Sequence, residues 1–259
     1  MELRGKVAIV TGAGGSGSGR AIARRFAQEG AAVVITDLNE AGARETVRQI
    51  EGAGGRAAFY PADVRIEQEV RRLLGFAQDS FGRLDVLVNN ASAPFHGDQP
   101  LEHWSETVAT DFLGTMYGIR AGIDFLRRTG GGAIVNISSI SALWHGRKHP
   151  APAYDAAKAG VLRLTTCLDW LGAEEHIRVN CLAPGWIASE QVREYWEPLT
   201  PEQRRARGAP SRLLSLEQVS DAVVRLATDE SLCGRVMVWW PEDEPRLIPW
   251  GDVGYAAPI

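Results

Sequence analysis

The segment KVAIVT, followed at once by GAGGSGSGRAIARRFAQEG, constrains the fold of this chain more than any other. Lys6 to Thr11 is a short apolar run of strand character, while Ala21, Ile22, Phe26 and Ala27 share one helical face and the arginines take the other. Glycines between a strand and a helix allow positive φ and close backbone approach, so the unpaired amides of the helix N-terminus can meet a pyrophosphate. A flexible turn is the plainer reading, but a turn held between two regular elements favours a nucleotide site.

The alternation continues along the chain. Ala32 to Thr36 reads as a strand ending in Asp37, whose carboxylate can accept both ribose hydroxyls of an adenosine and would repel a 2′-phosphate. NAD is therefore preferred over NADP; the nearby Arg44 argues the other way, and capping the next helix is the alternative role for Asp37. A helix over 40–50, a strand over 57–60 and a helix over 67–81 follow, with Asp63 and Val64 placed to edge an adenine or, for Asp63, to cap. A strand over 84–88 runs into NNASAP, small and amide-bearing residues that suit a backbone passing close to a cofactor, or a satisfied turn. Segment 104–128 reads as a long helix packing through Val108, Phe112, Met116 and Ile119. Asp111 interrupts it, and a carboxylate there must be exposed, paired or functional.

The stretch from Ala133 to Lys158 carries the chemistry. A buried strand over 134–137 delivers Ser138 and Ser139, a loop with Trp144, His145, Arg147, Lys148 and His149 follows as a pocket wall, and Tyr154 and Lys158 then lie one helical turn apart. A tyrosine with a pKa near 10 exchanges protons poorly at neutral pH, and an adjacent ammonium lowers it. The same lysine can reach a ribose hydroxyl, and a serine hydroxyl opposite can hold a substrate oxygen. A strand over 177–182 precedes APGWIASE, where the Pro184–Gly185 turn can bring amides near a nicotinamide and Ser189 can bond phosphates. Residues 190–212, holding Tyr195, Trp196 and Leu199, read as a movable lid; a capping box at 200–203 starts a short helix in it. A helix over 216–228 and a strand over 235–240 complete the alternation, and the aromatic tail 241–259 is expected to pack over a neighbouring subunit.

Composition excludes several classes. A net charge of -4 offers no basic field to nucleic acid or an anionic membrane. No apolar run approaches the roughly 18 residues of a spanning helix, and the amino terminus does not read as a signal peptide. Three cysteines, at 167, 181 and 233, form no metal-type pair and suit a reduced, cytoplasmic compartment; Cys167 and Cys181 lie in apolar patterns and are expected to be buried thiols. No metal site is expected.

Together these residues resemble the classical short-chain dehydrogenase/reductase family over residues 5–240. YDAAK matches its Tyr-x-x-x-Lys through Tyr154 and Lys158, and Ser139 looks like its catalytic serine. NNAS at Asn89–Ser92 is similar to its Asn-Asn-Ala-Gly, with Asn90 and Ala91 against the cofactor. Asp63–Val64 and Pro184–Gly185 match two further motifs, with Ile187 and Ser189 following the second. The resemblance implies an α/β fold in one domain spanning 1–259, a doubly wound Rossmann-type parallel sheet of about seven strands with helices on both faces. It implies a homo-oligomer, a tetramer before a dimer, packing through the helix that holds Asp111 and the helix after Tyr154.

Three departures stand out. TGAGGSGSG has one residue more than the family's Thr-Gly-x-x-x-Gly-x-Gly, so the loop through Gly12, Gly17 and Gly19 should bulge by one. Asp111 stands where the family has an asparagine that holds a water linking the lysine to solvent; an ionised aspartate donates no hydrogen bond. The usual C-terminal Asp-Gly-Gly is replaced by WWPEDEP, so that corner should be rebuilt. The chemistry implied is reversible alcohol–carbonyl exchange on a small molecule, with Tyr154 as acid/base, Lys158 tuning it, Ser139 orienting the oxygen and Asp111 completing the proton path. Trp144, His145, Trp186 and Trp196 are candidates for a pocket that takes an apolar or cyclic substrate. The alternative is a nucleotide-binding or structural Rossmann protein without turnover, motivated by the longer loop and Asp111.

Overall fold

The computed structural model describes residues 2–94, 101–143 and 151–249. Strands β1 (Val7–Thr11), β2 (Ala32–Thr36), β3 (Arg56–Phe59), β4 (Val86–Asn89), β5 (Gly132–Ile137), β6 (Ile177–Pro184) and β7 (Val236–Trp239) form a parallel sheet in the order β3-β2-β1-β4-β5-β6-β7. Strand β8 (Arg246–Leu247) pairs antiparallel with β7 and makes the sheet eight-stranded, against the expectation of about seven strands and a tail without strand character. A strand of two residues is too short to show a period.

The helices are α1 (Ser18–Gln28), α2 (Glu40–Gly52), α3 (Glu67–Phe81), α4 (Trp104–Val108), α5 (Gly114–Arg128), α6 (Pro152–Thr166), α7 (Trp170–Glu175), α8 (Glu190–Trp196), α9 (Pro201–Ala206) and α10 (Leu216–Thr228). Every residue of β1 and β2 is buried, as a parallel strand covered on both faces requires. Alternate side chains divide between two cores. Ala8, Val10, Val33 and Ile35 pack with Ile22 and Phe26 of α1, Ile50 of α2 and Val223 of α10. Val7, Ile9 and Val34 pack with Leu73 and Leu74 of α3 and Ile119 and Phe125 of α5. Strand order reverses between β1 and β4, which opens a crevice at the carboxyl ends of the strands where an open α/β sheet binds its ligand.

Between α4 and α5 the chain stays helical through a π-turn, Ala109–Leu113. The buried face of α5 mixes Gly114, Gly118 and Gly122 with Ile119, Phe125 and Leu126. Of the four apolar positions expected to pack, Ile119 is buried, whereas Val108, Phe112 and Met116 are half-buried and Phe112 leans on the α6 core. The extra residue of a π-turn changes the helical phase. Here Asp111 faces the interior with 0% exposure.

Candidate active site

The glycine turn leaves β1 at the crevice. Gly12 has φ +68, and a Cβ there would come 2.6 Å from Ala91 Cα; a Cβ on Gly19 would come 2.2 Å from Gly12 O. Only glycine permits this approach of α1 to the turn. Gly17 is the N-cap of α1, with no side-chain cap and no acidic residue in the first turn, so the helix offers its amides to an anion. Ala13 and Gly14 of the turn are held from the α2 side. Thr46 Oγ1 donates to Ala13 O (2.7 Å), Arg20 Nη2 to Gly14 O (2.9 Å) and Gly14 N to Asp37 Oδ2 (2.7 Å). This part of the turn is thus stapled to α2 and Asp37, while the start of α1 stays open: these residues fit the pyrophosphate and ribose of a dinucleotide. Asp37 does not cap α2; Asn39 does.

Strand β5 runs into Ser138 and Ser139, and α6 brings Tyr154 and Lys158 to them. Ser139 Oγ accepts from Ser141 N (3.2 Å) and Ser141 Oγ (3.0 Å), and Ser139 is hydrogen-bonded to the Tyr154 side chain. Lys158 Nζ lies 5.4 Å from the Tyr154 ring centroid and donates to Ile137 O at 3.1 Å. It also pairs with Asp111 Oδ1 at 2.8 Å, with both side chains buried. Burial pushes the Tyr154 hydroxyl above its ordinary value; the Lys158 charge pulls it back and the Asp111 carboxylate pushes it up again. Burial works against the Lys158 ammonium, but Asp111 and Tyr154 outweigh it and hold Lys158 above the usual range. The arrangement joins an ionisable hydroxyl, a cation and a hydrogen-bonded serine.

The family model of the short chain dehydrogenases matches residues 6–199. The chain belongs to the short-chain dehydrogenase/reductase family. It is 38% identical over 244 residues to a 3beta-hydroxysteroid dehydrogenase of Eggerthella lenta, covering 89% of each chain. It is 38% identical over 230 residues to a cis-4-hydroxycyclohexanecarboxylate dehydrogenase of Sinomonas cyclohexanicum, covering 86% of this chain and 90% of the other. The crystal structure of a candidate short-chain dehydrogenase/reductase from Burkholderia xenovorans superposes with a TM-score of 0.81 at 32% identity, covering 92% of this chain and 95% of that one. The protein is therefore an oxidoreductase that works with a nicotinamide cofactor.

Other residues of this dehydrogenase fall as follows. Asn90 bolts β4 to the glycine turn, with Nδ2 donating to Thr11 O (2.9 Å) and Gly12 O (3.1 Å) and Oδ1 accepting from Ser18 Oγ (2.8 Å). Asp63 neither stands open nor caps α3: Arg65 grips both its oxygens, at 2.9 and 2.6 Å, and holds it below the usual carboxylate range. Val64 packs against Gly114. Pro184 ends β6, Gly185 N donates to Trp239 O at 2.7 Å, and Ile187 bridges to Leu214. Ser189 caps α8 and faces Gly17, where a Cβ would come 3.8 Å from Ser189 Cβ. Trp186 faces Tyr195, ring centroids 6.0 Å apart. Trp196 ties the 190–212 segment together: Nε1 donates to Pro210 O (2.9 Å) and the Arg204 guanidinium stacks 3.3 Å from its ring. Trp144 and His145 lie outside the described residues, as do 250–259 of the tail.

At the WWPEDEP corner Glu242 accepts from Ser211 Oγ at 2.8 Å, and Arg212 donates to Pro241 O. Cys181 is buried, with its thiol pushed up to about 12, whereas Cys167, expected to be buried, is exposed at the end of α6 where the apolar stripe turns away. Among the described residues no three potential metal ligands cluster and no helix is long and apolar enough to cross a membrane. A groove at the opposite, amino-terminal end of the sheet includes Lys6, Arg83, Asp85 and Arg178. Its charges are answered internally, Lys6 and Arg83 by Asp85 and Arg178 by the carbonyls of Ala227 and Asp229. Sequence reasoning gave no role to Ser141, Ser16, Arg20 or Ser92; only the last carried a signal, as a hydroxyl where the family has glycine.

Proposed function

We propose that this enzyme interconverts a secondary alcohol on a ring and the corresponding ketone, with NAD(H), using Tyr154 as the acid/base. The observation that carries the reading is Tyr154, hydrogen-bonded to Ser139 and beside Lys158, on the helix that follows β5. When bound, the nicotinamide supplies hydride acceptance and donation. The chain's own part is the proton: Tyr154 Oη takes it from the alcohol in oxidation and returns it in reduction. Ser139 accepts twice from Ser141, so its own hydrogen is aimed outward to Tyr154 or a substrate oxygen. Lys158 has three N–H groups; Ile137 O and Asp111 take two, which leaves the third for a ribose hydroxyl. Burial keeps Tyr154 protonated at neutral pH, ready as the acid for ketone reduction.

NAD is the preferred cofactor. Asp37 is fixed by two amides, Gly14 N at 2.7 Å and Asn39 N at 2.8 Å, which leaves each oxygen a lone pair for a ribose hydroxyl. Arg44, the counter-argument, lies over the Phe59 ring at 4.9 Å and pairs with Glu40 at 3.6 Å. Asp37→Ala is expected to reduce the NAD+ over NADP+ preference in kcat/KM by at least about tenfold, or roughly 1.4 kcal/mol. An unchanged ratio sinks the assignment. Ser16 Oγ donates to Glu190 Oε2 at 2.9 Å, so the glycine turn is latched to the first helix of the proposed lid beside the pyrophosphate position. Removing that charge in Glu190→Gln should tighten NADH binding about two- to fivefold by titration calorimetry, as one partly screened charge warrants.

A cyclic substrate is supported by the ring-borne hydroxyls in the names of the two dehydrogenases and by the Trp186–Tyr195 pair. Assembly as a homotetramer is supported by Trp104, 37% exposed at the start of the 104–128 segment expected at the interface, and by Trp170, 43% exposed on α7 just beyond α6. Three free thiols support a reducing, cytoplasmic setting. The test is nicotinamide absorbance on adding NAD+ and then NADP+ with cyclic and open-chain secondary alcohols. Turnover fastest with NAD+ and a cyclic alcohol is expected; binding of cofactor with no turnover of any alcohol would overturn the reading.

A further inference from the structure

Asp111 is surrounded by donors. Its Oδ1 accepts from Lys158 Nζ at 2.8 Å and from Ser92 Oγ at 2.5 Å, and its Oδ2 accepts from Ala93 N at 2.9 Å. A carboxylate, an acceptor at both oxygens, satisfies all three. An asparagine could not: with its oxygen toward Lys158 and Ser92, its NH2 would face the Ala93 N–H, and flipped, it would face the Lys158 ammonium. Ser92 adds a hydroxyl where the family motif has a glycine. The two departures, nineteen positions apart in the chain, therefore meet as one device.

We propose that Ser92 is a positioning residue for the reaction: with the Ala93 amide it clamps the Asp111 carboxylate onto Lys158, so that Lys158 acts as half of a fixed ion pair. This rests on Tyr154 being the acid/base. The clamp joins the β4 loop, which also lines the cofactor crevice through Ala91, to the helix that carries Tyr154. Charged and titratable groups facing the Tyr154–Lys158 pair among the described residues are Asp111 from the π-turn, Asp155 from α6 and Cys181 from β6. Of these, only Asp111 is in direct contact with the ammonium. By neutralising the lysine locally, it opposes the phenolate and moves the useful range for alcohol oxidation to alkaline pH.

The test is the pH dependence of kcat and kcat/KM for alcohol oxidation in the wild type, Ser92→Gly, Ser92→Thr, Asp111→Asn and Ser92→Gly/Asp111→Asn, with thermal unfolding to confirm folding. Ser92→Gly should lower kcat about five- to twentyfold and displace the alkaline limb, the scale on which a mispositioned catalytic group reduces rate. Ser92→Thr, which keeps the hydroxyl, should restore both. Asp111→Asn should move the limb to lower pH, and in that background Ser92→Gly should change kcat less than about twofold, because the carboxylate it clamps is gone. Independent, multiplying effects of the two substitutions, or a wild-type profile in Ser92→Gly, would overturn the clamp. Loss of turnover in Tyr154→Phe tests the acid/base reading separately; if that variant keeps its activity, the reading fails whatever the Ser92 series gives.

Discussion

Tyr154→Phe is expected to lower kcat for alcohol oxidation by about 10²–10⁴-fold, the contribution of a positioned acid/base group, while NADH affinity stays within about twofold. The substitution removes one oxygen and keeps the ring, so the contact between Lys158 and the ring face survives. The loss should fall on kcat, because substrate binding still has the Ser139 hydroxyl and the pocket walls. A stopped-flow measurement of nicotinamide absorbance under single-turnover conditions isolates the chemical step. Equal rates in the two proteins would show that the proton moves elsewhere.

Lys158→Met is expected to remove activity by more than about 100-fold and to destabilise the fold by about 3–5 kcal/mol, the cost of breaking a buried ion pair from one side. Asp111, fully buried, would keep Ser92 and Ala93 as donors but lose its counter-charge. Adding Asp111→Leu to Lys158→Met should recover much of the stability and none of the activity, by urea denaturation and by turnover. The pair also fixes a sign. Lys158 and Tyr154 are both raised in the folded state, so the unfolded chain gives up these protons first. The stability they contribute is complete below the ordinary lysine and tyrosine values, near 10, and is lost as pH rises through the higher folded values. Alkali should unfold wild type at lower pH than Lys158→Met/Asp111→Leu, relative to each protein's stability at neutral pH.

Much of this was legible in the sequence because parallel strands covered on both faces are continuous apolar runs. AVVIT reads as β2 to the residue, and the 3.6-residue period gives α3 and α10 their full spans. The one-residue excess in the glycine turn was countable, and so was Asp111. What was hidden depends on phase and packing. A π-turn leaves no trace in an apolar pattern, yet it turns Asp111 inward and leaves Met116 half-buried. Composition cannot tell which way the Trp196 ring faces; the fold shows Arg204, eight residues on, stacked over it within the 190–212 segment. Cys167 looked buried because the stripe through Val161 and Leu164 continues to Leu168, but it sits where α6 ends and the chain turns. Ser92 was visible as a hydroxyl in place of a glycine, and only the fold brings it to Asp111.

The most direct measurement is nicotinamide absorbance with NAD+ and the best cyclic alcohol, run in parallel on wild type and Tyr154→Phe across pH. Wild-type oxidation should rise steadily with pH through neutrality, as expected of a buried tyrosine whose ionisation is held above its ordinary value, and Tyr154→Phe should show a residual, pH-flat rate. A wild-type rate already level at neutral pH, or a Tyr154→Phe rate that rises in step with it, would contradict Tyr154 as the group that takes the proton.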